Sequence, residues 1–235
     1  MNYKKYKNVK IIKDIDSQYA LAQTKGFKFK IRKQKIDAFT CDEVFKTGYF
    51  KHLEIKENDI IIDIGCNIGV FAVAAATKCQ KIIAFEPDKE NYNLALENLK
   101  LNNINNVVLF NKAVSNYDGE IDLYLNSGVC SDCHSTLKIR GREVVKVKTV
   151  DINTIIKEYN PNKLKIDCEG EELVFMQAAN MQNIQNLAME VHFTYSKRDK
   201  HKNYYKVLNN IQKYFNNIKY PKVQNNFSKM MFAKK

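Results

Sequence analysis

Residues 60–69, Ile60-Ile61-Ile62-Asp63-Ile64-Gly65-Cys66-Asn67-Ile68-Gly69, restrict the chain to few folds. Four isoleucines within five positions read as a strand buried on both faces, which a parallel sheet provides and a half-solvated antiparallel one does not. Glycine at 65 and 69 lets the backbone turn sharply off that strand and lets a ligand approach the main chain. About 20 residues further on, Ile82-Ile83-Ala84-Phe85 ends in Glu86-Pro87-Asp88. Strand, turn, helix, strand and terminal carboxylate are the parts of a βαβ site for a nucleoside-bearing ligand. Such sheets bind ligands outside the carboxyl ends of their strands, so the functional residues are expected there.

The remaining pattern extends this unit. Residues 1–58 read as a lead-in that packs on the core, ahead of a ligand-binding domain over 59–235. In the lead-in, Val9–Ile12 and Phe27–Ile31 alternate at period two and predict a short hairpin with Gly26 near its turn. A helix is expected over about 42–50. Ile68 opens an apolar helix through Val70–Ala76, and Asp88 is placed to cap a second helix presenting Tyr92, Ala95, Leu96 and Leu99 on one face. Val107–Phe110 is the third strand. An extra β piece follows it, with Glu120–Leu125 and Val144–Lys148 flanking a loop over 126–141. Asp151 caps a helix that Pro161 ends. Lys163–Asp167 and Leu187–His192 are further strands, followed by a helix over about 203–215 and a last strand at Met230–Ala233. The fold class is therefore α/β, with a doubly wound, mostly parallel sheet.

At 235 residues, 45% hydrophobic and 27% charged, the chain can bury one sizeable core. No apolar run approaches the roughly 20 residues of a membrane helix, and Met1–Lys7 lacks the apolar stretch of an export signal. A soluble, cytoplasmic protein is expected, with its six cysteines reduced. The net charge of +12 favours phosphate-rich partners, but lysine is spread along the whole chain, as a biased overall composition also produces. A nucleic-acid partner is thus possible and not favoured; oligomeric state is unreadable.

Two familiar phosphate cradles are missing. Asn67 stands where a dinucleotide turn has its second glycine, and no Lys-Ser or Lys-Thr pair follows, which points to a ligand without pyrophosphate. Asp63 is placed to put negative charge beside the ligand, for an ammonium or a sulfonium. Glu86 is placed to accept hydrogen bonds from both hydroxyls of a ribose.

The order of short motifs carries a resemblance. Asp63–Gly69, Phe85–Asp88, Asn111–Ser115, Ser135-Thr136-Leu137, Thr149-Val150-Asp151, Lys165–Glu172 and Met189–His192 together resemble the FkbM family of S-adenosylmethionine-dependent methyltransferases, over roughly residues 40–195. The Asp-x-Glu-Gly element at 167–170 is the most discriminating part. The resemblance implies a Rossmann-like class I methyltransferase fold with a seven-stranded sheet, to which the pattern above adds a β insertion after the third strand and a short N-terminal extension. It implies S-adenosylmethionine as cofactor and O-methylation of a carbohydrate or other small metabolite. By position, Asp63, Gly65, Cys66, Asn67 and Gly69 would line the methionine end, and Glu86 with Pro87 the ribose. Asn111, Lys112 and Ala113 would lie near the adenine. Asp167 would reach both cofactor and acceptor.

Methyl transfer from a sulfonium is an in-line displacement that gains mainly from alignment and exclusion of water. A base helps where the acceptor hydroxyl sheds its proton. Asp167 is the first candidate and Glu169 the second, whereas Glu171 and Glu172 read as acids favouring a helix amino terminus. Glu190 and His192, two apart on a strand, share a face and are further candidates, His192 as base or metal ligand. Cys130-Ser131-Asp132-Cys133-His134 matches a haem-attachment spacing and could hold zinc, but without a fourth ligand neither haem nor any metal is expected. The alternatives to a small-molecule methyltransferase are an RNA methyltransferase, on the charge, and a cofactor-binding module without catalysis.

Overall fold

The computed structural model describes residue 6 and residues 8–126, 128, 134–192, 200–220 and 228–235. The chain opens with β1 (Lys10–Asp14), β2 (Tyr19–Thr24), β3 (Phe27–Arg32), α1 (Asp37–Glu43) and α2 (Tyr49–Leu53). There follow β4 (Ile60–Ile64), α3 (Val70–Ala76), β5 (Lys81–Phe85), α4 (Lys89–Leu101) and β6 (Val107–Phe110). Next come β7 (Ala113–Ser115), β8 (Gly119–Leu125), β9 (Glu143–Asp151), α5 (Ile152–Tyr159), β10 (Lys163–Ile166) and α6 (Glu172–Phe175). The last elements are β11 (Asn186–His192), α7 (Lys200–Gln212), β12 (Asn217–Lys219) and β13 (Ser228–Lys234).

A seven-stranded mixed sheet has the order β12-β13-β11-β10-β4-β5-β6, with β13 antiparallel to both of its neighbours. From β4 the chain moves outward through β5 to β6, then crosses back to β10 and β11 on the other side. This reversal between β4 and β10 is the switch point at which such sheets open a crevice. Alternate isoleucines of β4 face opposite layers. Ile62 and Ile64 join Ile83, Phe85, Ile166, Phe175 and Met189 on one side. Ile61 joins Ile82, Ala84, Phe71 and Tyr49 on the other. Asp88 caps α4 by accepting from Asn91 N, and Asp151 caps α5 by accepting from Asn153 N and Thr154 N. A separate three-stranded sheet, β7-β9-β8, lies in sequence between β6 and α5.

The lead-in departs from its expected form. It is a three-stranded meander, β1-β2-β3, in which Lys25-Gly26 turns β2 into β3 with Gly26 at φ +91°, so the two expected strands do not pair with each other. The intervening β2 buries Ala20 and Ala22, residues whose weak strand preference conceals it in the sequence. Its core face packs with Phe29 and Ile31 against Val70, Val73, Leu94 and Leu99 of α3 and α4. Side-chain amides cover the outer edge of β3: Asn98 Oδ1 accepts from Lys30 N at 2.7 Å and Asn102 Oδ1 from Lys28 N at 2.9 Å. The expected helix at 42–50 is instead two short helices, separated at Gly48 with φ +90°. On α4 the buried face is Asn91, Leu94, Ala95, Asn98 and Leu99, while Leu96 is exposed, because the asparagines serve β3.

Candidate active site

A cavity of about 320 Å³ opens over the carboxyl ends of β4, β5, β10 and β11. At the β4 end, Gly65 takes φ +74° and its backbone runs so close to β10 that a Cβ there would sit 1.8 Å from Asp167 O. Only glycine fits that position. Asn67 also has positive φ, +51°, which aims its N–H at Glu86 Oε2, 2.8 Å away. Glu86 Oε1 accepts from Asp88 N at 3.0 Å. Burial pushes Glu86 up to about 7 even against these amides. Asn67 Oδ1, beside it, is buried without a hydrogen-bond partner. The cavity wall here includes Gly65, Cys66, Asn67, Glu86, Pro87, Lys112 and Ala113. Burial raises the Cys66 thiol well above its ordinary range, which leaves it an inert wall residue.

Three residues expected at the ligand lie outside the cavity wall. Gly69 begins α3, where a Cβ would press to 3.2 Å from Ala95, so its smallness serves helix packing. Asn111 Nδ2 donates to the carbonyls of Glu86 and Pro87, each at 2.9 Å, and so shapes the loop without lining the cavity. Asp63 is wholly buried and outside the cavity wall; it faces Lys165 across paired strands, Oδ1 to Nζ 3.1 Å. Lys165 also donates to Gly65 O at 2.9 Å and stands 4.0 Å from Asp167. Burial opposes its charge, but Asp63 and then Asp167 outweigh that and push it up to about 12. The negative charge expected of Asp63 at the ligand is therefore spent on Lys165, which itself lines the cavity.

At the β10 and β11 end, Asp167, Glu169 and Glu190 line the cavity. The Tyr49 hydroxyl donates to Asp167 Oδ2 at 3.1 Å, and its ring lies under Lys165 Nζ. Nothing in the sequence pairs Tyr49 with residues 165–167; it falls inside what reads as an ordinary helix. His192 Nε2 lies 3.4 Å from Glu169 Oε1 and 3.7 Å from Glu190 Oε1, and Nδ1 is 3.2 Å from Glu172 Oε1. Burial works against the imidazolium, yet Glu169 and Glu172 hold it well above its ordinary range. Burial, then repulsion from Asp167, pushes Glu190 up to about 7.

Glu171 and Glu172 are not solvent-facing helix acids. The helix that Glu171 precedes and Glu172 opens has four residues, and both carboxylates are buried. Glu171 lines the cavity and accepts from Ser115 Oγ at 2.6 Å and Thr136 Oγ1 at 2.7 Å. Glu172 accepts from Gly170 N and His192 N. The segment 135–137 closes on this turn: Ser135 Oγ donates to Glu169 O at 2.6 Å, and a Cβ at Gly170 would strike Leu137 at 2.2 Å. His134 lines the cavity and its Nδ1 accepts from Asn126 N, while Cys130 to Cys133 lie outside the described residues.

Residues 63–220 match the family model of the methyltransferase FkbM domain. The chain is 36% identical over 64 residues to an uncharacterized protein of Methanocaldococcus jannaschii, covering 27% of this chain and 25% of that one. It is 25% identical over 144 residues to the hexuronic acid methyltransferase AglP of Haloferax volcanii, covering 59% of this chain and 58% of that one. The chain thus spans only part of the length of these relatives. Among solved structures, M. jannaschii TYW2 in complex with AdoMet superposes with a TM-score of 0.54 at 14% identity, over 93% of this chain and 86% of that one. That likeness establishes a Rossmann-like fold. With the family model covering more than half of its residues, the chain belongs to the FkbM methyltransferase family.

Proposed function

We propose that the protein transfers a methyl group from S-adenosylmethionine to a hydroxyl of a carbohydrate or other small metabolite. One observation carries the reading: a buried carboxylate, Glu86, whose oxygens are aimed by the amides of Asn67 and Asp88, beside the unpartnered Asn67 Oδ1. A fixed pair of acceptor oxygens suits a vicinal diol such as a ribose, and a lone buried oxygen calls for a donor. When bound, the cofactor supplies an electrophilic methyl on a cationic sulfur. Pro87, Lys112 and Ala113 would flank its base, and Gly65, Cys66 and Asn67 its amino-acid end. The wall carries six acidic side chains, Glu43, Glu86, Asp167, Glu169, Glu171 and Glu190, against two lysines, and stays acidic on balance with Glu86 and Glu190 partly protonated near pH 7. That balance favours a cationic cofactor over its neutral demethylated product, and disfavours a polyphosphate acceptor despite the net charge of +12.

At the other end, Asp167, fixed by Tyr49, stands where an acceptor hydroxyl would enter, with Glu169, Glu190 and His192 beside it to accept or relay the proton. The methyltransferase unit would be residues 59–235, with the meander as its lead-in. AglP, named a hexuronic acid methyltransferase, supports a sugar-type acceptor. Among the described residues no helix is long and apolar enough to cross a membrane. The test is incubation with methyl-labelled cofactor and fractionated extract from the protein's own source. Label in glycan or small-molecule fractions is expected; label in RNA would transfer the assignment to the RNA alternative. A folded protein whose melting responds to a nicotinamide nucleotide and not to S-adenosylmethionine or its demethylated product would end the reading.

A further inference from the structure

We infer that Asp167, Glu190 and His192 form a site for one divalent cation of the manganese class at the acceptor end of the cavity. Each presents a ligand atom, and the three atoms lie within 4.8 Å of one another. Hard divalent ions bind oxygen at roughly 2.1–2.6 Å, so opposite ligands around one ion stand ~4–5 Å apart, and three donors at this spacing can close on a common centre. An imidazole with two carboxylates, and no thiolate, suits Mn²⁺ or Fe²⁺ better than Ca²⁺ or a structural zinc. Cys168, next to Asp167 in sequence, points its thiol at Glu172 Oε2, 3.2 Å away.

A second observation stands outside the trio. Metal-binding histidines characteristically place their other ring nitrogen on a carboxylate that fixes tautomer and orientation. Glu172 is fully buried and sits 3.2 Å from His192 Nδ1 while also accepting from the His192 backbone N–H. An ionised carboxylate can only accept, so Nδ1 donates to Glu172 and Nε2 faces Glu169 and Glu190. Asp167 is held in the same manner by the buried hydroxyl of Tyr49. Two of the three ligands are thus braced from behind, a support that surface acidic clusters lack.

The role of the ion rests on the proposed function. Asp167 and Glu190 line the cavity, so an ion they hold keeps positions open toward an acceptor. The acceptor class this fits is a chelating one, a vicinal diol or a hydroxyl beside a carboxylate. Coordination would make the hydroxyl more acidic; its oxygen would bond to the methyl carbon as the carbon–sulfur pair leaves with sulfur, and Glu169 would take the proton.

Chelator-treated protein titrated with MnCl₂, read by loss of the free-ion electron paramagnetic resonance signal, tests the site without any turnover. One ion per chain is expected. Glu190→Gln and His192→Gln should each weaken uptake by at least about tenfold and leave S-adenosylmethionine affinity within a few-fold. No saturable uptake by folded, cofactor-binding protein, or wild-type uptake in Glu190→Gln, overturns the site. Uptake by protein that fails to bind the cofactor would retain the site while removing the proposed function.

Discussion

The two ends of the cavity hold their carboxylates by different means. At the β5 end, backbone amides hold Glu86: the chain turns through positive φ at Gly65 and Asn67, and that turn sets the N–H of Asn67 on the carboxylate. At the β11 end, side chains hold side chains: His192 sits among Glu169, Glu172 and Glu190, and Tyr49 steadies Asp167 from 118 residues away in sequence. A site made by a turn is rigid and written in a few consecutive residues. A site made by tertiary pairing is tunable, and only the folded chain assembles it. On the proposed function, the first kind would hold the cofactor and the second the acceptor.

The largest effect separating the two ends should come from Asp167. Asp167→Asn removes the charge at the acceptor end and leaves the turn at 65–67 intact. Turnover should fall by about 10²–10⁴-fold while cofactor affinity stays within a few-fold. Label transfer and calorimetric titration on the same preparation read both quantities. Undiminished turnover would remove Asp167 from the chemistry.

Gly65→Ala attacks the place where the ends meet. The new methyl would lie 1.8 Å from Asp167 O at a φ that L-residues rarely adopt, so backbone on both strands must move. A loss of at least ~2–3 kcal/mol is expected in urea unfolding, together with loss of cofactor binding. Gly69→Ala, whose new methyl would meet Ala95 at 3.2–3.6 Å and carry its own αL strain, should cost less and spare the cavity. Equal effects on binding would contradict the division between a wall glycine and a packing glycine.

The same division explains what could be read before the fold was known. Ile60–Ile64, the turn glycines, Glu86, Asp88 as a cap and Pro161 as a stop act through neighbours in sequence, so local pattern reveals them. The alanine-bearing β2 was hidden because its burial against α3 and α4, not its intrinsic preference, makes it a strand. Glu172 reads as a helix-terminal acid because its partner, His192, is 20 residues on and two strands' ends must converge to join them. Asp63 falls between these cases. Its position beside the turn is legible, but the register that pairs it with Lys165 is not, and the charge expected at the ligand is neutralised.

At the cofactor end a smaller effect and a pH signature are expected. Glu86 is raised by burial to about 7, so in the ligand-free protein the folded state holds its proton more tightly than the unfolded chain. Its contribution to stability is complete below the ordinary carboxylate range and is lost as pH rises through about 7. Ribose hydroxyls donate to the ionised form, so cofactor affinity should climb as pH passes through the same value. Glu86→Gln should weaken binding by roughly tenfold or more, since hydrogen bonds to charged groups contribute ~1.5–3 kcal/mol, and should flatten that climb. Glu190 is also raised to about 7, which makes it the control: Glu190→Gln should leave the climb in place. A climb that survives Glu86→Gln and disappears in Glu190→Gln would exchange the roles of the two ends.

The smallest change is Tyr49→Phe. It removes one hydrogen bond to Asp167 and keeps the ring that packs with Phe71 and lies beneath Lys165. A net contribution of ~0.5–1.5 kcal/mol for such a bond converts to a loss of roughly two- to tenfold in turnover. Cofactor affinity and melting temperature should scarcely move, because the core face of the residue is unchanged. The comparison that matters is with Asp167→Asn. If Tyr49 only orients Asp167, adding Tyr49→Phe to Asp167→Asn should produce little further loss, since the group being oriented is already disabled. Independent, multiplying losses would instead place the Tyr49 hydroxyl in direct contact with a reactant, and the acceptor end would then begin at α2.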